Sequence, residues 1–356
     1  MGLNCFWKKY TLNFKFDAGT SRGVLKTHDV RYLVISNEKN YSTFGIGECA
    51  PLKGLSIDDR PDLDEKLEEV SRLILKKNSI DECEEFFMYL QEWPSIRFAL
   101  ETALLDLKQG GKRKLFDTDF TTGGKGIPIN GLIWMGDFNF MERQLWEKLE
   151  QGFNCIKIKV GAIDFNKECN LLEKIRTRFS PEQIEIRLDA NGAFTETDAE
   201  IKLKQLSEFT IHSIEQPVKA GQVELMKHLC TLNIIPVALD EELIGVYTKD
   251  TKVELLQKIK PQYIILKPTL LGGFKQSAEW IDAADRIKAG WWFTSALESN
   301  VGLNAVAQFA YSLNSPMPQG LGTGKLYHNN IDSPLVIQSG ALYYDPSQNW
   351  NFNPLL

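Results

Sequence analysis

Most of what would place this chain in a specialised class is missing from it. Among its 356 residues there are only six cysteines, at 5, 49, 83, 155, 169 and 230, with no Cys-x-x-Cys pair among them. A disulfide framework and a thiolate metal site are therefore excluded, and the cysteines read as small core residues of a reducing compartment. Histidine is rarer still. His28, His212, His228 and His328 show no metal-ligand spacing, so any metal here must be held by oxygen. No run approaches the roughly 18 uninterrupted apolar residues of a membrane span. The opening residues also lack the apolar stretch of a signal peptide, and the expected location is the cytoplasm. A formal charge of −6, spread along the chain, gives no basic footprint for nucleic acid.

What is present has a clear order. Residues 1 to about 60 fall into short alternating runs such as KYTLNFKF and VRYLVISN, which predict an antiparallel meander. Between 62 and 109 apolar residues recur at three and four, predicting two helices, the second opened by Pro94 and stopped by Gly110-Gly111. The expected first unit, residues 1–120, is an α+β capping domain. From about 127 the rhythm changes to eight β-rich runs, IPINGLIWM, CIKIKVG, IEIRLDANG, IHSIEQPV, PVALDEEL, QYIILKPTL, GWWFTSALES and QGLGTGKLY, separated by amphipathic stretches. Eight such units over 121–324 fit a closed (β/α)8 barrel better than an open sheet. The remainder, 325–356, lacks that rhythm and is expected to pack back on the capping domain.

Catalytic groups of such a barrel lie at the C-terminal ends of its strands. Those ends carry Lys157 and Lys159, Asp189 and Asn191, Glu215, Asp240 and Glu241, Lys267, then Ser295 and Glu298. From Lys159 to Asp189 is 30 residues, and the following steps to Glu215, Asp240 and Lys267 are 26, 25 and 27. Equal steps along the chain become neighbouring places around a ring. Singly, each has an ordinary explanation: lysines snorkelling from a strand, a turn favouring Asp, Asn and Gly, an N-cap cluster. Jointly, three carboxylates at successive strand ends would repel unless a cation lay among them. An all-oxygen set suits a hard ion, Mg²⁺ or Mn²⁺ in its place. Lysines on either side of that ion would suit removal of a proton next to a substrate carboxylate.

These motifs, with GIGECAPLKGLS, PSIRFALETALLDL and LKPTLLGG, resemble the enolase superfamily over nearly the whole length, and within it the muconate-lactonizing-enzyme-like subgroup, whose barrels carry Lys-x-Lys on the second strand and a lone Lys on the sixth. The resemblance implies a modified enolase-type β/α barrel, Asp189, Glu215 and Asp240 as metal ligands, and support from Asn191, Glu241 and Lys157. It also implies a small-molecule carboxylate as substrate. Residues 129–136, 294–308 and 320–335 are most similar to the subgroup's members that dehydrate 2-succinyl-6-hydroxy-2,4-cyclohexadiene-1-carboxylate in menaquinone biosynthesis, with Lys159 as base and Lys267 as the opposing charge. Racemisation of N-succinylamino acids is the alternative within the fold. Dipeptide epimerisation is disfavoured because GLGTG carries no Asp-x-Asp pair for an α-ammonium. A non-catalytic binding protein would not need all five charged groups.

For substrate contact the reading names Ser21 and Arg22, in a mobile loop over 17–29 that acts with 51–56 as a lid, together with Lys26, Ser295, Glu298 and Ser299. Glu185 and Arg187 share strand parity with Asp189 and are expected deep in the barrel, paired with each other.

Overall fold

The computed structural model describes residues 2–20, 23–161 and 163–353, apart from the Thr20 side chain. Three strands, β1 (Leu3–Thr20), β2 (Gly23–Asn37) and β3 (Asn40–Cys49), form an antiparallel sheet in that order. Helices Leu63–Ile74 and Pro94–Lys108 follow. Gly45 and Gly47, two apart and so on one face of β3, let the second helix lie directly on the strand. A Cβ on Gly47 would sit 1.8 Å from the Ala99 carbonyl oxygen, and one on Gly45 1.9 Å from that of Ala103. No larger residue fits at either place.

The barrel is built from β5 (Gly131–Ile133), β6 (Cys155–Lys159), β7 (Glu185–Asp189), β8 (Ser213–Glu215), β9 (Val237–Leu239), β10 (Tyr263–Leu266) and β11 (Gly290–Phe293), seven parallel strands in sequence order. Apolar side chains from strands such as Ile156, Ile186 and Ile214 and from helices such as Leu172, Leu203 and Trp280 fill the layer between them. The expected eighth strand shrinks to two residues. Gln319 bridges Ile129 and Gly320 bridges Thr294, both in parallel, and the Gln319 and Gly320 amides donate to the carbonyls of Pro128 and Phe293. Gly320, Gly322 and Gly324 give the run a low strand propensity. The first barrel run is also interrupted: β4 (Ile127–Pro128) leaves the barrel to pair antiparallel with β13 (Ala341–Tyr344), itself hairpinned to β12 (Leu335–Gln338).

The C-terminal stretch thus divides. Residues 335–344 add to the barrel end, whereas Phe14 bridges Tyr327, the Tyr10 hydroxyl donates to the Asn329 carbonyl, and Phe352 rests edge-on against Phe44 of the capping sheet.

Residues 17–20 and 23–29 do not form a loop. They continue β1 and β2 as a twisted ribbon, and Gly19 bridges Met135 of the first strand-helix connection. Cross-strand pairing from Ala18–Leu25 to Thr20–Gly23 overrides the turn-forming composition that suggested a mobile loop. Ser21 and Arg22 lie outside the described residues.

Candidate active site

In β6, Lys157 and Lys159 stand opposite Arg187 and Asp189 of β7, and Asp189 stands opposite Glu215 of β8. Asp240 directly follows the next strand, β9. Parallel pairing therefore sets three carboxylates side by side, each almost wholly buried. The ammonium groups bridge them. Lys157 Nζ lies 2.5 Å from Glu215 Oε2 and 2.9 Å from Asp189 Oδ2, and Lys159 Nζ lies 3.1 Å from the same Asp189 oxygen. Across the ring, Lys267 Nζ contacts Asp240 Oδ2 and stands 3.7 Å from Glu215 Oε1. Asn191 accepts a hydrogen bond from Lys159 at 2.6 Å and donates one to Glu241 at 3.0 Å.

Three acids sharing three ammonium groups do not titrate alike. Burial raises Asp189, but Lys157, Lys159 and Lys267 outweigh it and hold the carboxyl well below the usual range. Glu215, flanked by Asp189 and Asp240, is pushed up to about 7, by burial first and then by Asp189. Asp240 is raised by burial despite Lys267. Lys267 is held above its ordinary range because Asp240 and Glu215 overcome its burial; Asp189 and Glu215 do the same for Lys157. The mouth is a coupled charge cluster.

Among the described residues, no three His, Cys, Asp or Glu side chains converge as a ready cage, since lysine ammoniums lie between the acids. The donor set nevertheless fits a hard divalent ion. All three groups are carboxylates, and the buried Glu215 Oε1 accepts no hydrogen bond.

A cavity of about 350 Å³ opens over this cluster, walled by Phe16 of the ribbon, Leu52 and Leu55 of the 51–56 turn, and Trp134, with Lys157, Lys159, Asp189, Asn191, Lys267 and Ser295 among its lining. Glu298 and Ser299 are corrections to the sequence reading. Glu298 is fully buried and accepts from the Ser295 hydroxyl at 2.6 Å, the Ala296 amide at 2.7 Å and the Thr269 hydroxyl at 2.5 Å. It pins the 294–299 loop so that Leu297, at φ 65°, meets the cavity. Ser299 caps the helix Asn300–Ser312, and its amide and hydroxyl donate to Glu48 of β3 at 2.7 and 2.5 Å. Both tie the loop to the scaffold and neither reaches the cavity wall. Lys26 is exposed and also off that wall.

Sequence reasoning passed over Gln216, whose side-chain oxygen accepts from the amides of Asp240 and Glu242 at 3.1 and 3.2 Å and so fixes the end of β9. Its only signal was a buried-strand position directly after Glu215.

The family described as "Enolase C-terminal domain-like" matches residues 141–347. The chain is 44% identical over 367 residues to the o-succinylbenzoate synthase of Desulfotalea psychrophila (strain LSv54 / DSM 12343), covering 96% of this chain and 99% of that protein. The chain belongs to the enolase superfamily. The crystal structure of MenC from Desulfotalea psychrophila LSv54 superimposes with a TM-score of 0.85 at 40% identity, over 96% of this chain and all of that one. The L-Ala-D/L-Glu epimerase of Bacillus subtilis (strain 168) is 27% identical over 325 residues, 85% of this chain and 82% of its own. Muconate lactonizing enzyme from Pseudomonas fluorescens shares the fold, with a TM-score of 0.84 at 18% identity over 99% and 98% of the two chains. Among enolase-superfamily barrels, then, this one stands nearer to a synthase than to an epimerase.

Proposed function

We propose that this enzyme is an o-succinylbenzoate synthase, a lyase that removes water from 2-succinyl-6-hydroxy-2,4-cyclohexadiene-1-carboxylate to give 2-succinylbenzoate. The observation that carries the reading is the 44% identity to an enzyme of that name across nearly the entire chain. The site chemistry supports it. Asp189, Glu215 and Asp240 would hold Mg²⁺, or Mn²⁺ in its place, and the ion when bound supplies positive charge against the substrate carboxylate.

The protein's own residues do the rest. Lys159, anchored by Asp189 and Asn191, takes the proton α to the ring carboxylate on its Nζ. The C–O bond to the 6-hydroxyl then breaks on the same face, and the proton held by Lys159 leaves with that hydroxyl as water. The electron pair left behind completes the aromatic ring, which drives the step. Lys267 stays protonated beside Asp240 and opposes the negative charge that builds on the substrate from the other side. Phe16, Leu52, Leu55 and Trp134 cover the cavity and limit access of water. A cytoplasmic location fits this reading; among the described residues no helix is long and apolar enough to cross a membrane.

Conversion of the diene acid, followed by ultraviolet absorbance with Mg²⁺ and again after chelation, tests the proposal. N-succinylamino acid racemisation is its rival, because lysines on both sides of a site can exchange protons with either enantiomer. Stereospecific deuterium uptake by both enantiomers in D₂O, at rates equal to or above dehydration, would replace the synthase reading with the racemase.

A further inference from the structure

The cavity does not end at the carboxylate cluster. Its lining also includes Leu132, Trp134, Gly131 and Gly322, and a second set of charged groups, Lys148 and Lys325 with Glu147 beside them. This end lies at the seam where the two-residue eighth strand meets the first. A side chain on Gly322 would meet nothing closer than 3.6 Å, so the seam stays open there. Lys148 occupies the last turn of the helix Phe138–Glu150, and its stem packs against Gly131, whose built Cβ would lie 3.2 Å from Lys148 Cβ. Its ammonium sits 5.2 Å from the Phe153 ring centroid, with Gln151 Oε1 at 3.4 Å.

Neither lysine makes an ion pair among the described residues, although the chain has an excess of acids. Burial depresses the Lys148 ammonium below its ordinary range, the neighbouring Glu147 works against that, and Lys325 adds to the depression. Lys325 is exposed and Glu147 borders the same end; an anion between the two lysines lowers their mutual repulsion.

We propose that Lys148 and Lys325 form a subsite for the second carboxylate of a dicarboxylate substrate. This deepens the synthase reading and rests on it: the diene acid bears one carboxylate on its ring and another at the end of its succinyl arm. The cavity offers the lysines of the carboxylate cluster, an apolar wall and two further lysines, and that molecule offers two carboxylates on a hydrocarbon frame. The capping ribbon's Lys26 is exposed and does not line the cavity.

The test uses the Mg²⁺-loaded enzyme with Lys148→Met, Lys325→Met, the double variant and Lys148→Arg. Each Met variant is expected to raise KM about fivefold to tenfold and the pair about thirtyfold or more, with the loss on KM rather than kcat and with Lys148→Arg largely restored. Calorimetric titration with o-succinylbenzoate should weaken in parallel, while benzoate, which lacks the arm, should bind the double variant as it binds the parent. An unchanged affinity for o-succinylbenzoate in the double variant overturns the subsite. So does an equal loss for benzoate, which would mark a general field effect, or phosphate competing as well as o-succinylbenzoate, which would mark a free-anion site. Parent enzyme that binds o-succinylbenzoate in a Lys148-dependent way yet fails to turn over the diene acid would fault the synthase reading alone.

Discussion

Strand β7 carries charge at both ends, and the two ends handle it differently. At its start, Glu185 Oε1 lies 2.7 Å from Arg187 Nε, the guanidinium stacks 4.1 Å over the Trp292 ring, and Arg187 Nη1 donates to the Pro318 carbonyl at 2.8 Å. His212 lies flat against Tyr263 beside them. Glu185 also accepts from the Cys155 thiol at 3.3 Å and stands 4.0 Å from His212 Nε2, Arg187 Nη2 is left without a hydrogen-bond partner, and the central cation is one that does not release its proton. At the other end of the same strand, Asp189 shares ammonium groups with Glu215, and the acids are driven to opposite sides of their ordinary range. A cluster centred on an arginine that keeps its proton makes a structural plug. Shared, unequal pairing among groups that can gain and lose protons makes a site ready to accept an ion and a substrate.

The largest effect should come from breaking the mouth at its base. Lys159→Ala is expected to lower kcat by about 10³-fold or more and to abolish exchange of the α-proton with D₂O, since a positioned general base contributes about 10²–10⁴-fold. Lys267→Arg keeps the charge but not a proton that can be exchanged, and should retain a trace of dehydration with no racemase activity. Next in size, Asp189→Ala, Glu215→Ala and Asp240→Ala should each lose Mg²⁺ affinity and turnover while circular dichroism stays that of a folded barrel. Calorimetry showing parental Mg²⁺ affinity in all three would remove them as ligands.

Breaking the floor should have the opposite signature. Arg187→Met strands Glu185, and a broken buried pair costs about 3–5 kcal/mol, discounted here because the Glu185 side chain is 30% exposed. A drop in Tm with kcat/KM kept within about threefold is the expected outcome; lost activity at unchanged Tm would erase the distinction between the two ends. The smallest effect concerns His212. Burial holds its ring below the ordinary range, with Glu185 opposing. The unfolded chain therefore binds the proton more readily, and stability falls as pH drops from about 6.5 towards the folded value, with a slope of at most about 1.4 kcal/mol per pH unit for one group. The more deeply buried His28 acts with the same sign. His212→Asn should remove only part of that slope in urea titrations between neutral and mildly acidic pH.

The sequence made the mouth legible because both of its rules are local: alternate residues of a strand share a face, and one strand-helix unit takes a near-constant number of residues. Those rules led to Lys157, Lys159, Asp189, Glu215, Asp240 and Lys267, which the fold brings together. They could not identify Glu298 and Ser299 as scaffold, because the partner of Ser299 is Glu48, 251 residues away. A serine just before the apolar run 301–310 was an N-cap signal that did point that way. Lys148 was hidden in an amphipathic helix where a lysine near the C-terminal end is ordinary. The ribbon was misread since its turn-forming residues are held extended by register, a property of the pair of strands rather than of either one.

The two-residue eighth strand also sets a schedule for synthesis. The amides of Gln319 and Gly320 close the barrel against Pro128 and Phe293, and Tyr327 and Asn329 complete the sheet begun by residues 10–14. A ribosome that has released two-thirds of this chain has released Lys157, Lys159, Asp189 and Glu215 of the mouth, yet neither unit can be finished. Both wait on the same late segment near residues 319–331. The first strand to emerge is thus among the last to be fully covered, which leaves its edge exposed for most of the time the chain takes to be made.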